Sequence, residues 1–164
     1  MSAPARGRTV VVGVGNPLMG DDAAGLETAR LVAAAAPPEV ELRESEAGGL
    51  ELLDLLEGFD RAVVVDAMAG GPGEAGEVVE VELAASPGKA GASGHSFGLL
   101  EGMEICRRMG LKMPSEVRVF AVLVEGPFTF GAPLDEGLRG RLDAAAREIA
   151  EAVFGAEERC TRPR

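Results

Sequence analysis

Large aromatic rings are scarce in this chain: it has no Trp, no Tyr and only six Phe in 164 residues. A core without them must be packed from Val, Leu, Ala and Ile, the composition of a parallel sheet buried on both faces. Positive charge is also short, with 16 Lys and Arg against 27 Asp and Glu, a net charge of −11. Binding to nucleic acid draws on clustered Lys and Arg; Arg107 and Arg108 lie in a helical pattern and read as a solvated face, so no nucleic-acid partner is expected. The two cysteines, Cys106 and Cys160, have no spacing that suggests a metal clip or disulfide framework, and a reducing cytoplasmic setting is the expectation. Residues 1–8 lack an apolar region of signal-peptide length, and the apolar run at 10–14 is far too short to cross a bilayer. No membrane partner is therefore expected.

What is present reads as one domain over residues 9–155, with flexible termini at 1–8 and 156–164. Residues 9–14 form a nearly unbroken β-branched run ended by turn residues, a strand covered on both faces. Asn16-Pro17 and Gly20 then break the chain and Asp21 offers an N-cap. Leu26, Ala29, Val32, Ala33 and Ala36 follow at helical spacing until Pro37-Pro38. The alternation continues with a strand at 40–43, a Gly48-Gly49 turn, a helix at 50–56 and a strand at 62–65. At 77–83, Val79, Val81 and Leu83 alternate with Glu80 and Glu82, the pattern of an edge strand with one wet face. A Gly/Ala/Ser-rich mobile loop at 84–94 leads to His95 and a helix carrying Leu99, Met103 and Cys106 on one face. A strand at 117–124 and a closing helix striped by Leu138, Leu142, Ala145, Ile149 and Val153 complete the chain, with a frayed tail beyond Phe154. The fold expected is a three-layer α/β/α doubly wound domain around a mostly parallel five-stranded sheet with one edge strand.

In such a fold ligands bind beyond the carboxyl ends of the strands, where the strand order reverses. Asp22 follows the first strand, and Asp66 follows the Val63-Val64-Val65 run of the third, so both carboxylates converge on that point. Close carboxylates repel unless a cation or proton lies between them. His95, the only histidine, arrives just before a helix N-terminus, where the dipole favours neutral imidazole. Two carboxylates and one imidazole suit zinc or nickel better than calcium or magnesium. Singly, each residue has a plainer reading. Asp21 and Asp22 are also apt as N-terminal helix charges, Asp66 as a structural hydrogen-bonding group and His95 as an exposed side chain.

A rival reading is nucleotide binding. Gly13-Val14-Gly15 begins like a dinucleotide fingerprint and Glu44 resembles its ribose-binding acid, but Leu18 replaces the third glycine and Asp21 and Asp22 place negative charge at the helix start. Ser93 and Ser96 flank His95 without an elbow motif, which favours helix capping over nucleophilic catalysis.

The segment Gly13-Val14-Gly15-Asn16-Pro17-Leu18-Met19-Gly20-Asp21-Asp22-Ala23-Ala24-Gly25 resembles the opening signature of the hydrogenase maturation endopeptidases. The likeness continues in order and spacing through Glu46-Ala47-Gly48-Gly49, Val63-Val64-Val65-Asp66-Ala67 and Gly94-His95-Ser96-Phe97-Gly98-Leu99. It implies an endopeptidase that removes a C-terminal extension from the large-subunit precursor of a nickel-iron hydrogenase after nickel insertion. It also implies Asp22, Asp66 and His95 as metal ligands, with the ion largely the precursor's own nickel serving as a recognition device; zinc or a similar ion would suit the isolated protein. By the same likeness, Gly13, Gly15 and Gly48-Gly49 would shape a substrate groove, and residues 125–131 look closest to the branch serving soluble or bidirectional hydrogenases.

Overall fold

A computed structural model of the chain describes residues 7–83 and 98–161. The elements run β1 (Thr9–Val14), a 3-10 turn (Gly20–Ala23), α1 (Ala24–Ala35), β2 (Glu41–Ser45), α2 (Glu51–Leu56), β3 (Arg61–Ala69), β4 (Val78–Val81), α3 (Leu99–Arg108), β5 (Glu116–Val124), the single turn α4 (Glu136–Arg139) and α5 (Leu142–Thr161). The sheet order is β2-β1-β3-β5-β4. Its first four strands are parallel, and β4 pairs antiparallel with β5 at the edge.

Every residue of β1 is buried, as the unbroken β-branched run requires, and period-2 alternation sends its side chains into two separate cores. Val11, Val63, Val65, Phe120 and Val122 face α1, α4 and α5, where Ala29, Val32, Leu138, Leu142 and Ile149 meet them. Val10, Val12, Val14, Val64 and Val119 face α2 and α3, against Leu52, Leu56, Leu99 and Met103. This is the expected three-layer sandwich. The helix α1 stops with Ala36 in extended conformation before Pro37, since a residue preceding proline is driven out of the helical region. Among the described residues no helix is long and apolar enough to cross a membrane.

Three details differ from the expectation. The third strand does not stop at Val65; it runs to Ala69, because β5 pairs with it along its full length. The closing helix is two pieces, since Asp135 caps a separate short turn, accepting the Leu138 N–H at 2.9 Å. The backbone of α5 continues through Thr161, so the helix crosses the boundary expected at 155. The loop expected at 84–94 lies outside the described residues.

The chain moves from β1 outward to β2, then crosses back past β1 to β3. The order therefore reverses between β1 and β3, and the crevice at their carboxyl ends is the place where such folds bind ligands.

Candidate metal and peptide site at the carboxyl ends of β1 and β3

The loop leaving β1 is held by its own polar groups. The Asn16 side-chain oxygen accepts the Leu18 N–H at 2.9 Å, an Asx turn, and the Asn16 carbonyl accepts the Met19 N–H at 3.0 Å. Asp22, in the 3-10 turn, closes the loop: its Oδ2 accepts the Asn16 N–H at 2.8 Å. Its role is thus not that of a cap on its own helix but that of a fixed carboxylate at the mouth of β1. The loop is joined to β2 through the Gly15 N–H, which the Ser45 carbonyl accepts at 3.0 Å.

Asp66 sits inside β3, one residue beyond the last β1–β3 pair, Gly13 with Val65, while its other neighbour Ala121 of β5 remains paired. It is therefore at the edge of the crevice although its strand goes on. The residue is only 2% exposed, and its Oδ1 accepts the Ala67 N–H at 2.8 Å. Strand alternation puts it on the same face as Val64 and Met68, the face covered by α2 and α3.

Two glycines bring the pieces together. A Cβ on Gly25 would lie 2.2 Å from the Val14 carbonyl oxygen and 3.0 Å from the Asp66 Cα, so the first turn of α1 rests directly on β1 and β3. A Cβ on Gly15, whose φ is +151°, would lie 2.1 Å from the Asp22 carbonyl oxygen. The 3-10 turn bearing Asp22 also packs against β3, the strand bearing Asp66.

A carboxylate has about four acceptor sites, so a backbone amide can fix it in place while its other lone pairs serve further partners. Two pinned carboxylates at one crevice are a donor set that fits a divalent ion, with a third ligand needed to complete it. Among the described residues no group of three or more His, Cys, Asp and Glu forms such a site. His95, the expected third ligand, lies outside them, as do Ser93 and Ser96. The part of its motif that is described ends in Gly98, the N-cap of α3 with φ +86°, and Leu99, which packs in the core shared by α2, α3 and the sheet.

No family model and no curated protein matches the chain by sequence. Solved structures do match. The hydrogenase maturating endopeptidase HybD from E. coli is similar with a TM-score of 0.62 and 22% identity over 91% of this chain and 93% of its own. The hydrogenase maturation protease HycI from Thermococcus kodakarensis is 26% identical with a TM-score of 0.59, covering 88% and 90%. A hydrogenase 2 maturation peptidase from a Thaumarchaeota archaeon is 21% identical with a TM-score of 0.60, covering 89% and 97%. The chain has the fold of the hydrogenase maturation proteases. The family resemblance carried by its sequence motifs is thereby borne out.

Within this protease fold, several residues have roles other than those expected. Asp21 does not cap α1. The N-cap of the 3-10 turn is Met19, without a side-chain cap, and the Asp21 Oδ1 reaches across to accept the Asp135 N–H at 2.9 Å. The space beside Gly13 and Gly15 is filled from within the fold: a Cβ on Gly13 would meet the Ala29 Cβ at 2.8 Å, so Gly13 serves the close approach of α1 to β1, and Gly15 that of the 3-10 turn. Gly49, with φ +76° and open space where a Cβ would go, is a turn glycine at the surface. Glu44, the acid of the nucleotide reading, is held by Arg30 through two hydrogen bonds of 2.6 and 3.0 Å. The Arg30 hydrogen bond keeps its carboxyl below the ordinary range, and this pairing makes it a strut between α1 and β2 rather than a ribose ligand.

Sequence reasoning missed Ser45 and Asp135. Ser45 is buried at the end of β2, and its hydroxyl contacts the Ala47 carbonyl and, at 3.1 Å, the Glu51 carboxylate. This secures the loop that carries Gly48 and Gly49. A Ser closing a strand six residues before a Glu at a helix start was the available signal for it.

Proposed function

We propose that the chain is an endopeptidase that removes the C-terminal extension of a nickel-loaded nickel-iron hydrogenase large-subunit precursor, with Asp22, Asp66 and His95 meeting the nickel. The observation that carries this reading is the Gly25 seat, which packs the start of α1 on β1 and β3 and so gathers Asp22 and the buried Asp66 at the switch point. The motif likeness and the shared fold point to the same activity. Carboxylates drawn together in a crevice favour a cation between them, and a nickel ion brought by the substrate fills that place only when the correct, loaded precursor arrives. A divalent ion bound there supplies carbonyl polarisation or water activation for hydrolysis of the peptide bond. In hydrolysis the water oxygen adds to the scissile carbonyl carbon, the C–N bond breaks, and the proton passes to the departing amine.

The test is incubation of purified protein with purified precursor, followed by mass spectrometry. Loaded precursor should lose its C-terminal peptide, and nickel-free precursor should stay intact. Asp22→Asn and His95→Ala should each abolish cleavage; unchanged cleavage by His95→Ala would sink the ligand assignment. A stable complex with loaded precursor that never cleaves would instead support a non-catalytic nickel-sensing module.

A further inference from the structure

Three of the bulky apolar side chains left in water lie at the same end of the sheet as Asp22 and Asp66. Leu18, in the loop after β1, is 57% exposed; Leu50, after β2, is 77% exposed; Phe130, in the loop after β5, is 76% exposed. These loops leave the carboxyl ends of parallel strands, so the topology places all three at one end. The Leu18 carbonyl accepts the Gly131 N–H at 2.7 Å, which fastens the Leu18 and Phe130 loops to each other. Clustered exposed hydrophobic residues with a polar rim mark interaction surfaces.

The loops around them carry acids and no bases, although Arg141, between α4 and α5, reaches this end and donates to the Ala75 carbonyl at 2.7 Å. Residues 15–23, 46–50, 70–77 and 125–135, the loops at this end, contain no Lys or Arg. They contain Asp21, Asp22, Glu46, Glu74, Glu77, Glu125 and Asp135. A second copy of this chain would bring the same negative face and be repelled, as would an anionic membrane or nucleic acid. The complementary surface is apolar and edged with cations.

We infer that Leu18, Leu50 and Phe130, within this acidic rim, form the docking surface for the hydrogenase precursor, which meets it with an apolar segment flanked by Lys or Arg. The inference rests on the proposed peptidase reading and adds the chemistry of the segment that is recognised. It is tested by measuring KM and kcat on nickel-loaded precursor for Leu18→Ser, Leu50→Ser, Phe130→Ser and the triple variant, at low and high salt. All three side chains lie in water, so thermal melts should match wild type. KM should rise on the order of tenfold for Leu18→Ser or Phe130→Ser and further for the triple, with kcat unchanged, and the wild-type KM should rise with salt. A triple variant with wild-type KM overturns the surface while the peptidase reading stands. A wild-type KM indifferent to salt overturns the charge complementarity. Failure of wild-type protein to cleave loaded precursor removes the peptidase reading and the occupant with it. Sedimentation showing wild-type dimers that the triple variant abolishes would make a second copy the occupant, and so overturn the proposal.

Discussion

The two ends of the sheet hold their carboxylates in different ways. Near the amino ends of the strands, acids are matched with cations: Arg8 with Glu41 at 2.7 Å, Arg61 with Glu116 at 3.3 Å, Lys112 with Asp60 at 2.7 Å and Arg118 with Glu80 at 2.8 Å. At the carboxyl ends of β1 and β3 and in the loops beside them, main-chain N–H groups contact the acids, while Glu44 near the end of β2 keeps a guanidinium partner in Arg30. Asn16 donates to Asp22, Ala67 to Asp66, Asp135 to Asp21 and Leu138 to Asp135, all at 2.8 to 2.9 Å. A guanidinium fixes a carboxylate and cancels its charge; an amide fixes it and leaves the charge in place. The amino-end acids therefore stabilise the fold by ion pairing, whereas Asp21, Asp22 and Asp135 at the carboxyl end are positioned by main-chain hydrogen bonds.

Breaking that distinction at its strongest point means removing charge without removing a hydrogen-bond acceptor. Asp66→Asn keeps an oxygen for the Ala67 N–H, so the fold should persist with little change in denaturant midpoint. Processing of loaded precursor should fall by at least about 10³-fold, roughly 4 kcal/mol of transition-state stabilisation. A variant that lost stability but retained turnover would place Asp66 with the structural acids of the other end. The next largest effect is expected at Gly25. Its added methyl would lie 2.2 Å from the Val14 carbonyl oxygen, which forces α1 off the sheet. Gly25→Ala should cost about 3 kcal/mol in urea unfolding and lower activity with it. Wild-type stability would mean that the seat is not a close contact.

How far the sequence foretold this arrangement depends on the kind of interaction. Strand and helix order was legible because burial on both faces demands unbroken Val runs such as residues 9–14, and edge exposure demands the alternation at Val79, Glu80 and Val81. The placement of Asp22 and Asp66 at one crevice was legible because topology alone sends the ends of β1 and β3 there. The true end of β3 was not, since Ala69 is in the strand only through pairing with Val124 of β5, a long-range event with no local signature. The roles of Asp21 and of Gly13 and Gly15 were hidden for the same reason. Asp21 looks like a cap in one dimension and becomes a tether to Asp135 in three; Gly13 and Gly15 match a ligand motif, yet their missing side chains make room for α1 and for the 3-10 turn before it.

At the amino end the expected effects are small and leave catalysis alone. Arg118 makes a two-point pair with Glu80 at 2.8 and 2.9 Å, donates to the Ala152 carbonyl at 2.7 Å and lies 5.0 Å over the Phe120 ring, so it ties β5 to both β4 and α5. Arg118→Leu should lower unfolding stability by about 1 to 2 kcal/mol with kcat unchanged. A loss of kcat beyond what stability explains would mean that the two ends are coupled.

The smallest effect is the one that depends on pH. The Arg118 hydrogen bond, opposed by partial burial, holds the Glu80 carboxyl below its ordinary value of 4.5. A carboxyl whose folded value is depressed contributes its full stabilisation above the unfolded value and loses it as pH falls through the folded one. The Glu80 side chain is about half in water, with 48% of its surface exposed, and solvent screening limits the contribution to about 0.5 kcal/mol. Glu80→Gln should therefore be less stable than wild type by that amount at about pH 6. The two proteins should converge in urea unfolding as pH is lowered below 4.5, where wild-type Glu80 takes up its proton. The same titration carried out in the Arg118→Leu background should show no convergence, because the group that depresses the Glu80 carboxyl is gone. A gap between wild type and the Glu80→Gln variant that persists in acid would assign the difference to packing instead of charge.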